Sequence, residues 1–131
     1  MVRRASCSCG TLRITCEGEP VRVGICHCLA CQKRTGSAYG LQARFPRDKV
    51  AVEGTSTEYV RIGDEGCRIV FRFCPSCGAT VYYTIDEDPE LVAVPVGAFA
   101  DPSFPPPRFS VYGSRRHPWV VLPEGCVERV D

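Results

Sequence analysis

The chain has 131 residues, the size of one ordinary domain able to bury a core of its own. Its 44% hydrophobic and 24% charged residues are those of a globular protein, and a formal net charge of +1 gives no basis for nucleic acid as a partner. No stretch is apolar enough for a signal peptide or a membrane span, so the expected location is cytoplasmic, with no membrane partner.

Strand signals dominate the chain. Thr11 to Cys16 alternates Leu12, Ile14 and Cys16 with Thr11, Arg13 and Thr15, the period of a half-buried strand. After the turn at Glu17-Gly18-Glu19-Pro20, Val21, Val23 and Ile25 alternate again and deliver the chain into Cys26. The one helical piece expected is Leu29 to Thr35, closed by Gly36. Further strands are expected over 38–45, 50–53, 57–62, 68–73, 79–85, 91–99 and 109–112. A hairpin loop falls at Gly63-Asp64-Glu65-Gly66 and a turn at Asp86-Glu87-Asp88-Pro89. Asp101 to Arg108 carries Pro102, Pro105, Pro106 and Pro107 and must be irregular, because proline cannot donate to a sheet ladder. No repeat or linker divides the chain, so residues 1–131 are expected to form a single domain whose motifs lie within about 5–120.

Ten cysteines call for an explanation. In a reducing compartment, closely spaced cysteines are metal ligands or catalytic groups rather than disulfides. Cys74-Pro75-Ser76-Cys77-Gly78 is a tight turn that brings two thiolates to tetrahedral spacing. It supplies half of a closed site, and Cys7-Ser8-Cys9-Gly10, ahead of a strand, is the natural donor of the other half, giving a structural Cys₄ zinc site. Cys26-His27-Cys28-Leu29-Ala30-Cys31 gives three thiolates within six residues. Three ligands and one vacancy is the pattern of a catalytic zinc; with Cys16, Cys67, Cys126, His27 or His117 as fourth ligand, this site too becomes structural. His27 lies between two ligands on a tight loop and is better placed for hydrogen bonding. A zinc bound by three thiolates carries net negative charge, which suits it less to ionising water than to binding and activating a thiol. Cys16, Cys67 and Cys126 read as buried small apolar residues.

The order C-x-C-G, then C-H-C-x-x-C followed by Gln32-Lys33-Arg34-Thr35-Gly36-Ser37, then F-C-P-x-C-G, resembles the glutathione-dependent formaldehyde-activating enzyme family, which shares a domain with centromere protein V. The likeness runs from Cys7 to about Trp119, where Ser114-Arg115-Arg116-His117-Pro118-Trp119 is similar to the proline-tryptophan segment near the end of these domains. The resemblance implies an all-β fold of the β-tent type, built of antiparallel sheets with few helical turns, and two zinc ions. It places Cys7, Cys9, Cys74 and Cys77 as structural ligands and Cys26, Cys28 and Cys31 as catalytic ones. It implies a carbon-sulfur lyase resembling S-(hydroxymethyl)glutathione synthase, with glutathione as the small-molecule thiol. Gly36 and Ser37 could then supply donors to a substrate carboxylate, and Arg34, Arg115 and Arg116 could supply charge. Tyr39 and Trp119 could line a pocket, although lone aromatics in a β domain are more often core. The competing function is a non-catalytic zinc module that binds a protein or a small thiol. An exposed β edge would also permit a homodimer.

Overall fold

A computed structural model describes residues 1–129. Strand accounts for 42% of the residues and helix for 13%, the β-rich class that the alternating pattern predicts. Among the described residues, eleven strands fall into two sheets. The smaller is antiparallel and joins β1 (Val2–Ser6), β2 (Arg13–Glu17) and β5 (Val50–Glu53) in the order β1-β2-β5. The larger contains β3 (Arg22–Cys26), β4 (Gly40–Pro46), β6 (Thr57–Ile62), β7 (Arg68–Phe73), β8 (Thr80–Ile85), β9 (Leu91–Pro95), β10 (Phe109–Val111) and β11 (Val127–Glu128). Its order is β11-β10-β3-β4-β9-β8-β7-β6. It is antiparallel except at one end, where β10 runs parallel to both β3 and β11.

The expected strands at 50–53, 57–62 and 68–73 are observed with those bounds. Their β-branched and aromatic content fits a pleated surface, and Arg72 bonds Glu58 directly opposite at 2.8 Å. Two of the departures from the pattern have a plain cause. The strand expected to run from Leu91 to Phe99 stops at Pro95, which lacks an N–H for the ladder, and continues as a 3-10 turn over Val96–Phe99. The first strand, Val2–Ser6, buries only Ala5 and so shows no apolar alternation to read.

The small sheet packs on one face of the large one. Ala5, Leu12, Ile14 and Cys16 meet Val23, Ala43, Phe45, Val81, Val92 and Val94, closed off by Phe99 and Phe104. Cys7 and Cys74 belong to the same buried cluster. On the opposite face of the large sheet, Phe71, Tyr83 and Ala93 form a second apolar group, and Cys26, Cys28 and Cys31 pack against Ala30, Val111 and Tyr112. One cysteine cluster therefore joins the two sheets, and the other lies on the outer face of the large sheet.

Candidate metal centres

All ten cysteines are free thiols, and seven of them form two groups. In the first, the sulfurs of Cys7, Cys9, Cys74 and Cys77 all lie within 4.8 Å of one another. Cys9 Sγ is 3.6 Å from both Cys7 Sγ and Cys74 Sγ. A disulfide would need about 2.05 Å, whereas the edge of a tetrahedron with 2.3 Å metal–sulfur bonds is about 3.8 Å. The donor set fits a four-coordinate thiophilic ion.

Local backbone chemistry builds this arrangement. Cys7 and Cys74 each donate their N–H to the carbonyl five residues on, Leu12 and Ala79, folding each loop back on itself. Gly78 takes φ +80° so that the loop can close, a conformation that side chains resist. The sulfurs then receive backbone donors: Leu12 N–H to Cys7 Sγ at 3.3 Å, and Ser76 N–H to Cys74 Sγ at 3.3 Å. The Thr11 hydroxyl lies 3.1 Å from Cys9 Sγ and 3.4 Å from Cys74 Sγ. Hydrogen bonding from Thr11, then from the Cys77 N–H, holds the Cys74 thiol down at about 5.

In the second group, the sulfurs of Cys26, Cys28 and Cys31 lie within 4.8 Å of one another, and all three residues are buried. Cys26 ends β3. Cys28 is the N-cap of helix α1 (Leu29–Thr35), its sulfur accepting the Cys31 N–H at 3.3 Å. The helix has the bounds expected, ended by Gly36 in the left-handed region at φ 69°. Gly40, directly opposite Cys26, lets α1 sit close on β4: a Cβ there would lie 3.3 Å from Cys31 Cβ and from Arg34 Nη2. Donation from the Cys26 and Cys31 thiols, together with the Cys31 N–H, pulls the Cys28 thiol far below its ordinary value. The Cys26 thiol moves far above its own, because it donates to Cys28 and Cys31 and is buried. Three thiols packed this way cannot all ionise without a cation among them, so this donor set also suits a metal.

No fourth cysteine, histidine or carboxylate joins the second group among the described residues. Cys16 is buried elsewhere in the main core, where burial raises its thiol to about 11. Cys67 and Cys126, expected to be buried, are only half-buried. His27 is fully buried, and its Nε2 shares a 2.9 Å hydrogen bond with Ser110 Oγ. Burial, then the nearby Arg116, lowers its basicity. His117 Nε2 pairs with Gln32 Oε1 at 2.9 Å, while Gln32 Nε2 donates to the His27 and Arg115 carbonyls. These bonds clamp the cysteine loop to the segment after β10.

Beside the three cysteines lies a cavity of about 160 Å³. Arg22, Gln42, Arg44, Arg61, Tyr83 and Tyr112 are among its lining residues, none of which the motifs point to. Tyr112 sits in the left-handed region at φ 57°, a strained backbone for a non-glycine residue. Arg34 lines a neighbouring cavity of about 420 Å³ with Lys33, Arg61 and Phe71, its guanidinium stacked over Phe71 and Tyr83. Gly36 and Ser37 are exposed at the far end of α1; their N–H groups go to the Gln32 carbonyl and to Thr35 Oγ1. Tyr39 is half-buried against the His27 ring, at 5.9 Å between centroids. Trp119 is 69% exposed, so it is not a core residue.

The family model for the glutathione-dependent formaldehyde-activating enzyme matches residues 2–115. The chain belongs to this family. A Colletotrichum graminicola protein carrying the family's name is 32% identical over 87 residues, which are 60% of this chain and 45% of that protein. The chain thus spans less than half the length of this curated relative. A crystal structure of a Rhodobacter sphaeroides protein shares the fold, with a TM-score of 0.57 at 23% identity over 72% of this chain and 85% of that one. The matched region takes in both cysteine groups and the strands that hold them.

Proposed function

We propose that this protein is a zinc-dependent carbon-sulfur lyase-like enzyme acting on a small thiol adduct, with the addition of glutathione to formaldehyde as its reference reaction. On this reading Cys7, Cys9, Cys74 and Cys77 hold a structural zinc, and Cys26, Cys28 and Cys31 hold a catalytic one. The observation that carries it is the contrast between the two groups. Four sulfurs close the first, whereas among the described residues three sulfurs and no fourth donor stand beside a cavity in the second.

A zinc ion held by three thiolates would favour ionisation of an incoming thiol and hold its sulfur. In the addition, the thiol gives its proton to solvent, the sulfur lone pair forms the new carbon-sulfur bond, the carbonyl π electrons move to oxygen, and that oxygen takes up a proton from a donor that solvent then recharges. Tyr112 is the chain's own donor for that proton. It packs against the three cysteines, and burial raises its phenol above the usual value, so it stays protonated at neutral pH. The cavity is small for a whole tripeptide; it receives the sulfur end, with the remainder extending along the sheet. Arg34, whose guanidinium faces Gly40 close to Cys31, adds positive charge on the helix side, with Gly36 and Ser37 beyond it.

The test follows the rate at which S-(hydroxymethyl)glutathione forms and decays, by proton exchange spectroscopy on formaldehyde and glutathione with catalytic zinc-loaded protein. The expected result is exchange at least a hundredfold faster than the uncatalysed background, in line with proximity and acid catalysis acting together. Background exchange, together with no glutathione binding at millimolar concentration, would leave only the partner-binding function.

A further inference from the structure

The cavity beside Cys26, Cys28 and Cys31 has a floor made by two adjacent strands, and their register decides what it presents. In the antiparallel pair β3–β4, Arg22 lies opposite Arg44, Gly24 opposite Gln42, and Cys26 opposite Gly40. Val23, Ala43 and Phe45 point into the main core. Strand alternation therefore places all six residues of those three pairs on the other face. A strip of floor runs from the cysteines, past Gly24, which has no side chain, and an amide at Gln42, to two facing arginines.

We propose that Arg22 and Arg44, with Gln42 between them and the cysteines, recognise a carboxylate carried by the thiol substrate, so that the site selects anionic thiols of the cysteinyl-peptide kind over neutral ones. This deepens the function proposed above and rests on Cys26, Cys28 and Cys31 being the place where substrate sulfur is held.

Three observations carry it. Like charges directly opposite on paired strands repel, and Arg22 and Arg44 are such a pair. Asp88 bonds Arg44 at 3.4 Å, but among the described residues Arg22 makes no ion pair. Burial, then Arg44 and Arg129, disfavour the charged form of Arg22, a crowding that an anion would relieve. Arg61 adds a further cation to the lining, and Asp64 one anion.

The second observation is Gln42. It is buried, and its Oε1 has no hydrogen-bond partner. Buried acceptors are nearly always satisfied, so a ligand N–H between the sulfur and the anion would complete it. The third is length. At about 3.3 Å per residue, Arg22 lies about 13 Å along β3 from Cys26. Two extended residues of ligand span about 7 Å, and the arginine side chains reach across the rest. At Gly24 a Cβ would lie 3.6 Å from the Phe109 carbonyl and 3.9 Å from both Arg22 Nε and Gln42 Nε2. Gly24 thus adds no side chain of its own to the strip, and the Arg22 and Gln42 side chains lean over it toward the cysteine end.

Calorimetric titration of the zinc-loaded protein with glutathione and with glutathione diethyl ester, at fixed ionic strength, tests this. The ester keeps the thiol and the amides but neutralises both carboxylates. Glutathione is expected to bind at least tenfold more tightly than the ester. Arg22→Gln should remove that advantage while leaving ester affinity and zinc content unchanged. Its melting temperature should be no lower than wild type, since the substitution takes away one of two opposed like charges. Arg44→Gln serves as the second variant should Arg22→Gln fold poorly. Equal wild-type affinities, or an Arg22→Gln protein that still prefers glutathione, would overturn the carboxylate assignment and leave thiol binding intact. Binding of neither compound would overturn thiol binding itself, and the carboxylate assignment with it.

Discussion

Cys74→Ser is expected to yield no soluble folded protein. Its side chain is fully buried, and its sulfur is bonded by the Ser76 and Cys77 N–H groups and approached by Thr11 and Cys9. Cys74 follows β7 of the large sheet and Cys7 follows β1 of the small one, so a metal in the first centre would cross-link the two sheets at the edge of their shared core. Binding at a structural zinc site is worth roughly 10–16 kcal/mol, against a net domain stability of about 5–15 kcal/mol. Serine is a poor ligand for the ion, so losing the site would consume the whole margin. A Cys74→Ser protein recovered in soluble form, with a cooperative melt and wild-type far-UV dichroism, would show that the first centre does not hold the fold together.

Cys28→Ser is expected to behave in the opposite way, giving a folded protein with about half the zinc and no acceleration of adduct exchange. The second group lies on the outer face of the large sheet and joins no two layers. Serine is also among the best N-cap residues, so the helix start that Cys28 now caps survives the substitution. What is lost is the most readily ionised thiol of the three. Zinc analysis, thermal melting and the exchange assay on one preparation separate these effects. An unfolded Cys28→Ser protein, or one with full zinc and full activity, would refute the division of labour between the two centres.

The metal groups were legible in the sequence because their geometry is local. A C-x-x-C-G turn and a cysteine that caps its own helix fix sulfur positions within a few residues, and the helix bounds followed from Cys28 at one end and Gly36 at the other. Pairing the two halves of the first centre needed only the expectation that four thiolates close a site. The cavity lining was not legible. Arg22, Gln42 and Arg44 face the second centre through the β3–β4 register, and Tyr112 arrives there because β10 runs parallel to β3. Neither pairing leaves a local signature. Trp119 and Cys126 were misplaced for a related reason: between β10 and β11 the chain makes 3-10 and turn structure at the surface, where apolar residues need not be core. Gln42 shows what could have signalled the cavity, an amide between apolar residues on a strand whose opposite face is all core.

The central claim is that the seven clustered cysteines form two metal centres of unequal kind. Elemental analysis of the purified protein by mass spectrometry, paired with a count of reactive thiols before and after chelation, tests it most directly. The account predicts about two zinc ions per chain, with one released by mild chelation while the fold persists and the other leaving only as the protein unfolds. A protein free of zinc whose clustered cysteines are tied in disulfides would contradict it.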